Sequence, residues 1–288
     1  MMRRAFGLTL AAALAAGCAE APAEGPVASI DAGGFEFFDA FERSASELAR
    51  RDGGPWGYVK LTHNDNRVEI VDAVRDGAPT RAYRSYAVND TDPVSKATIT
   101  IDGLNAQPGE IVEVAFCMNA APGVALNDVF ITDLECNTCW SPLNVKRDQS
   151  PGVRVQLKEQ AGYPAIERAK IMHGRDSFRA LHSDANAMPR RWTPIVWRVG
   201  LGYNDEGWSE LFVDGALSSA GRGGTLPDAA LFEADGVRLD RSRYDYVELG
   251  VTANASDAPL SLLFDNVRVR TGDKVVGVLD NPCEWDAS

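Results

Sequence analysis

The sequence predicts an all-β fold, a sandwich of two antiparallel sheets, on three observations. Eleven alternating or apolar segments recur at short spacing, from "RVEIVDAV" to "LSLLFDNVRVR". DG, PG, GG and ND pairs, the residues tight turns require, punctuate them. No strand–helix–strand rhythm of a parallel sheet intervenes, and no internal repeat points to a propeller or solenoid.

Taken in chain order, the first segment is no part of that sandwich. "MMRRAFGLTLAAALAAGC" joins a short basic start, Arg3 and Arg4, to an apolar run too short to span a bilayer and to small residues before Cys18. This is the pattern of an export signal over residues 1–17. "LAAGC" resembles the lipobox of bacterial lipoproteins, which implies cleavage before Cys18, lipidation of its thiol and a place in the cell envelope. Plain secretion with a cut near "AEAPA" is the other reading. Residues 18–34, rich in Ala, Pro and Gly without hydrophobic periodicity, read as a tether. The body is expected over residues 35–288. It opens with the aromatic strand "FEFFDAFE" and a short helical or irregular piece ending at Gly53 and Gly54, and then turns almost wholly to strands.

The formal net charge of −12 argues against a nucleic-acid partner unless basic residues gather in one cleft. It suits an exported protein, and the acidic turns "HNDN", "VNDTD" and "YNDEG" make a structural calcium ion the candidate cofactor. Turns also favour Asp and Asn for backbone reasons, and none has EF-hand spacing. Apart from Cys18, the cysteines are Cys117, Cys136, Cys139 and Cys283. In an oxidising compartment they imply two disulfides, with three pairings open. The "CNTC" pair follows a strand rather than opening a helix and lacks a second such pair, which weighs against redox and zinc roles.

Two late motifs narrow the architecture. "GWSELFVDGAL" and "LLFDNVRVR" resemble the late hairpin and closing strand of concanavalin A-like, or laminin G-like, jelly rolls. The intervening "TLPDAALF" and "YDYVELGVTAN" resemble the loop and Gly-bearing strand between them, and "FEFFDAFE" around Phe38 resembles the opening strand. The likeness implies a single two-sheet jelly roll from Phe35 to about Arg270 with a C-terminal tail, and a groove on one sheet able to hold an extracellular polysaccharide.

Alternate residues of a strand share one face. In "LTHNDNRVEIVDAV" this puts His63, Asp65, Arg67 and Glu69 in one polar stripe, and it sends Glu69 and Asp72, three apart, to opposite faces, so they cannot be the paired carboxylates of a glycosidase. "NRVEI" resembles the Arg-x-Glu strand of alginate-lyase and heparin-lyase-like jelly rolls. That resemblance implies that Arg67 lines the groove beside Glu69 and neutralises a uronate carboxylate, with His63 or Tyr83 left to move the proton. The Gln-x-His and Tyr-x-Lys-x-Gly motifs of such lyases are not evident. "VRVQLK" offers Arg154, Gln156 and Lys158 as a second stripe for orienting substrate. Against these stand solvated outer faces and surface ion pairs, the ordinary use of polar alternation. The expectation is an exported glycan-active protein, with β-elimination of a uronate-containing polysaccharide as its reaction. A non-catalytic carbohydrate-binding module and a structural envelope lipoprotein are the alternatives.

Overall fold

The computed structural model describes residues 34–41, 56–136, 152–169, 186–227, 242–273 and 281–285. Cys18 and Cys139, and with them the export signal, lie outside these residues. The described strands are β1 (Glu36–Asp39), β2 (Val59–Leu61), β3 (Arg67–Arg75), β4 (Ala78–Ala87), β5 (Ser95–Ala106), β6 (Ile111–Ala120), β7 (Val129–Glu135), β8 (Gly152–Lys158), β9 (Tyr163–Ala169), β10 (Thr193–Gly200), β11 (Trp208–Val213), β12 (Ala216–Arg222), β13 (Tyr244–Asn254) and β14 (Leu260–Gly272). A single 3-10 turn follows at Pro282–Glu284. No described helix is long and apolar enough to cross a membrane.

The strands form two antiparallel sheets. One has eight strands in the order β12-β11-β10-β6-β14-β4-β3, with β1 also paired to β14, and the other has six in the order β2-β5-β13-β7-β8-β9. Opening strand β1 thus lies against closing strand β14, with Phe37 opposite Val269. Adjacent β11 and β12 turn through Asp214 and Gly215, both at positive φ (55° and 75°), as the DG pair in a two-residue hairpin requires.

Alternation does the packing. Val112, Val114 and Phe116 of β6, Val153, Val155 and Leu157 of β8, and Val247, Leu249 and Val251 of β13 all point between the sheets and are fully buried. An aromatic chain runs through that interior: Phe37 against Trp56 (4.7 Å between centroids), Phe41 against Trp56 and Tyr83, and Tyr83 against Phe264 (5.6 Å). The Asp39 carboxylate accepts the Trp56 indole N–H at 2.7 Å, so the buried ring leaves no polar group unpaired.

Two ties close the sandwich. Arg168 on edge strand β9 donates to the carbonyls of Gly224 and Arg222, both at 2.9 Å, linking the two sheets at one side. Cys117 and Cys283 form a disulfide that fastens the C-terminal turn to the outer face of the eight-stranded sheet. The bridge closes 166 residues of separation, worth about 5 kcal/mol in the chain-entropy account of cross-links. Of the three pairings open in the sequence, this is the one the described residues display. Cys136 is also disulfide-bonded.

Candidate functional site

Among the described residues, the outer face of the six-stranded sheet holds four of the eight buried charged side chains, Asp133, Glu135, Arg154 and Glu248. On β13 the inward positions are Val247 and Leu249, so Tyr246 and Glu248 face out. On β7 a register shift near Phe130 leaves Asp133 and Glu135 facing out, with the Thr132 hydroxyl bonded to the Glu248 carbonyl at 2.9 Å. Register then decides the neighbours. Glu248 stands opposite Thr100 on one side and Asp133 on the other; Asp133 stands opposite Arg154, and Arg154 opposite Glu167. One step along the strands, Tyr246 lies between Asp102 and Glu135. Lys60 of β2 and Lys96 of β5 reach in from the side, one ammonium to each oxygen of Glu248.

Two carboxylates directly opposed in neighbouring strands repel each other, and here Glu248 is fully buried and Asp133 is 2% exposed. Burial pushes the Glu248 carboxyl upward, but Lys96 and Lys60 outweigh it and hold the group ionised, below its usual range. Burial and the Glu248 charge push Glu135 up to about 7. Burial, only partly offset by Arg154 and Lys96, raises Asp133 as well. Arg154 lies 3.8 Å from both Asp133 and Glu167 and over the Phe130 ring. Three carboxyl groups with diverging proton affinities beside two lysines and an arginine are costly to fold around. Such arrangements concentrate at functional sites.

At the β2 edge the face opens. Tyr58 is 45% exposed, and its ring stands 6.4 Å from that of Tyr246. Tyr58 and Lys60 alternate, so phenol and ammonium share the face. Burial, followed by Glu135 and Glu248, raises the Tyr246 phenol well above its usual value.

Asp133, Glu135 and Glu248 each offer a carboxylate oxygen within 4.8 Å of the others, a hard-oxygen set that could hold a metal ion. Both Glu248 oxygens already carry an ammonium, and Asp133 Oδ1 accepts from Thr252 at 2.8 Å, so an ion there would compete with Lys60 and Lys96. Among the described residues this grouping lies on the sheet, and the acidic turns expected to bind calcium form no such group.

The residues named from sequence divide. Arg154 and Gln156 lie on this face, 9% and 7% exposed, with Gln156 Nε2 donating to Asp128 at 3.2 Å. Arg67, Glu69, His63 and Tyr83 are not brought together with them. Val68 and Ile70 pack on the core, so Arg67 and Glu69 point from the outer face of the other sheet, where Glu69 pairs with Arg84 across the strand. His63 sits in the turn before β3, its Nε2 2.8 Å from the Pro93 carbonyl. Tyr83 is fully buried between the sheets, its hydroxyl 3.2 Å from the Ala97 carbonyl and 3.3 Å from that of Leu249. Gly250, at φ +122°, allows this approach, because a Cβ there would collide with the Tyr83 hydroxyl. Tyr58, Lys60, Lys96, Asp133, Glu135, Tyr246 and Glu248 were not picked out from sequence. Their signal was present in "YVK", "TDLE" and "YVE", polar residues at alternate places in apolar strands, but which strands adjoin is invisible there.

No family model and no curated protein matches the chain. Solved structures do. An endo-β-1,4-glucuronan lyase from the fungus Trichoderma reesei superposes with a TM-score of 0.57 at 14% identity, covering 85% of this chain and 98% of that one. Cip1, a cellulose-induced protein, gives 0.52 at 13% identity over 84% and 100%. An alginate lyase, vAL-1 from Chlorella virus, gives 0.45 at 11% identity over 76% and 93%, too distant to add to the argument. At these identities the likeness shows the fold alone, a two-sheet jelly-roll sandwich.

Proposed function

We propose that the protein cleaves a uronate-containing polysaccharide by β-elimination on the outer face of the six-stranded sheet. The observation that carries this reading is the buried, like-charged Glu248–Asp133 pair held open to Lys60 and Lys96, beside the exposed phenol of Tyr58. Elimination needs a cation against the uronate carboxylate to acidify the C5 proton, and a group that passes a proton to the leaving oxygen. Lys60 and Lys96, the partly exposed cations of the face, serve the first need. The Tyr58 hydroxyl, beside Tyr246, serves the second: its oxygen takes the C5 proton as the C5–H bond breaks, the C4–O bond breaks as the C4=C5 double bond forms, and Tyr58 gives a proton to the leaving oxygen. Arg154 and Gln156 orient the neighbouring sugars. The export signal and Cys18 anchor expected from the first residues would hold this face toward an extracellular glycan.

The test is incubation with glucuronan and alginate while following the ultraviolet absorbance of unsaturated uronate ends. The expected outcome is a signal that Tyr58→Phe lowers by about a hundredfold or more, the scale of a lost proton-transfer group. Full turnover by Tyr58→Phe would refute the assignment.

One observation favours a second reading. Glu248 is held ionised while Glu135 titrates near 7, and carboxyl groups pushed apart in this way are the acid and base of glycoside hydrolysis. Hydrolysis yields new reducing ends without unsaturation, so measuring both on the same digest separates the two reactions.

A further inference from the structure

The opposite side of the molecule carries a feature that the groove does not explain. On β11 the inward residues are Leu211, Val213 and Ser209, whose hydroxyl accepts the Trp197 indole N–H at 2.9 Å. Trp208 and Glu210 therefore face outward from the eight-stranded sheet. Across the hairpin Arg222 stands opposite Trp208, and Ala220 opposite Glu210. Together with Gly221 these residues line a cleft of about 340 Å³, within the range of small-molecule sites.

The cleft has the parts of a sugar site. On the side of β10, Trp208 lies against Gly200, where an added Cβ would collide with the indole Nε1, so the ring occupies space that only glycine leaves free. The partly exposed indole lines the cleft and offers apolar surface to the C–H face of a sugar ring. Ala220 and Gly221 keep the floor clear. Among the described residues, neither Glu210 nor Arg222 has a side-chain ion-pair partner, because Arg198, the cross-strand neighbour of Glu210, is taken by Glu113 at 2.9 Å. One carboxylate and one guanidinium flanking an indole offer acceptors and donors to hydroxyl groups, and their charges cancel.

We propose that the β11–β12 edge is a second glycan-binding site that takes an uncharged pyranose unit, separate from the groove on the six-stranded sheet. Its test is isothermal titration of the full chain with cellohexaose, a neutral probe, comparing Trp208→Ala and Ala220→Tyr with Arg67→Ala as a surface control. Ala220→Tyr fills the cleft at an exposed position and leaves Trp208 in place, so it reports on the site even if Trp208→Ala disturbs the strand. The expected result is a loss of association of tenfold or more in both variants and none in the control. The proposal is overturned if the unaltered chain does not bind cellohexaose. It is equally overturned if Ala220→Tyr binds it as the unaltered chain does, whatever Trp208→Ala does.

Discussion

The two outer faces of the sandwich both carry a row of charge across several strands, and they solve its cost in opposite ways. On the eight-stranded sheet the register sets Glu210, Arg198, Glu113, Arg270 and Glu36 in line, each charge opposite one of the other sign. Glu113 is the centre: Arg270 and Arg198 outweigh its burial and hold its carboxyl below the usual range, and Arg268 adds a third guanidinium at 3.6 Å while lying over the Trp285 ring. On the six-stranded sheet Glu248 faces Asp133, like against like, with Glu135 alongside. The first row is a structural ladder in which local pairing and global fold agree. The second conflicts with local preference, and that conflict is what singles it out as the candidate site.

Breaking the ladder should cost stability alone. Glu113→Gln removes the carboxylate that Arg198, Arg268 and Arg270 share and is expected to destabilise the fold by about 3 kcal/mol in urea denaturation, with turnover on the glycan unchanged. A loss of turnover at unchanged stability would mean that the two faces have been assigned the wrong way round.

The site should show the reverse sign. Glu135 titrates near 7 in the fold against 4.5 when unperturbed, so the folded chain binds more protons than the unfolded chain between those values. The contribution of Glu135 to stability is therefore greatest below about 4.5 and is lost as pH rises through 7, by about 3 kcal/mol if the full shift is realised. Glu135→Gln removes that loss, so the variant is expected to be more stable than the parent at pH 8 and no more stable at pH 4. Parallel pH–stability profiles for the two proteins would show that Glu135 carries no such strain.

The smallest effect is expected at Arg67. Its side chain is exposed on edge strand β3, and Arg67→Ala should change stability by no more than about 0.5 kcal/mol. Glycan turnover should not change either, which a kinetic comparison of the two proteins at equal concentration checks.

Much of the fold was legible in the chain. Each of the eleven segments read as strands falls on a described strand, the DG hairpin forms where the pair occurs, and "LLFDNVRVR" is the closing strand beside the opening one. The site was legible only in fragments. Arg154 and Gln156 could be placed together on one outer face because "VRVQLK" alternates without interruption, and alternation reports which face a residue takes. Arg67 was sorted by the same rule onto an outer face, but that rule does not say which sheet the face belongs to. Tyr83 looked available because a tyrosine in a strand tolerates either side. It is buried because Gly250 on the facing sheet makes room for its hydroxyl.

By itself, then, the sequence determined the strand class, the turns and the inward set of Val, Ile, Leu and Phe, since these follow from the two-residue period of an extended chain and from the removal of apolar surface from water. The tertiary structure alone decided that β13 lies between β5 and β7, and so that Glu248 meets Asp133 with Lys60 and Lys96 at its oxygens. The physical reason is that alternation constrains the face a side chain takes and leaves its cross-strand neighbours to sheet order and register. Those are set by how the two apolar faces pack as a whole, and the electrostatics of the site depend on those neighbours.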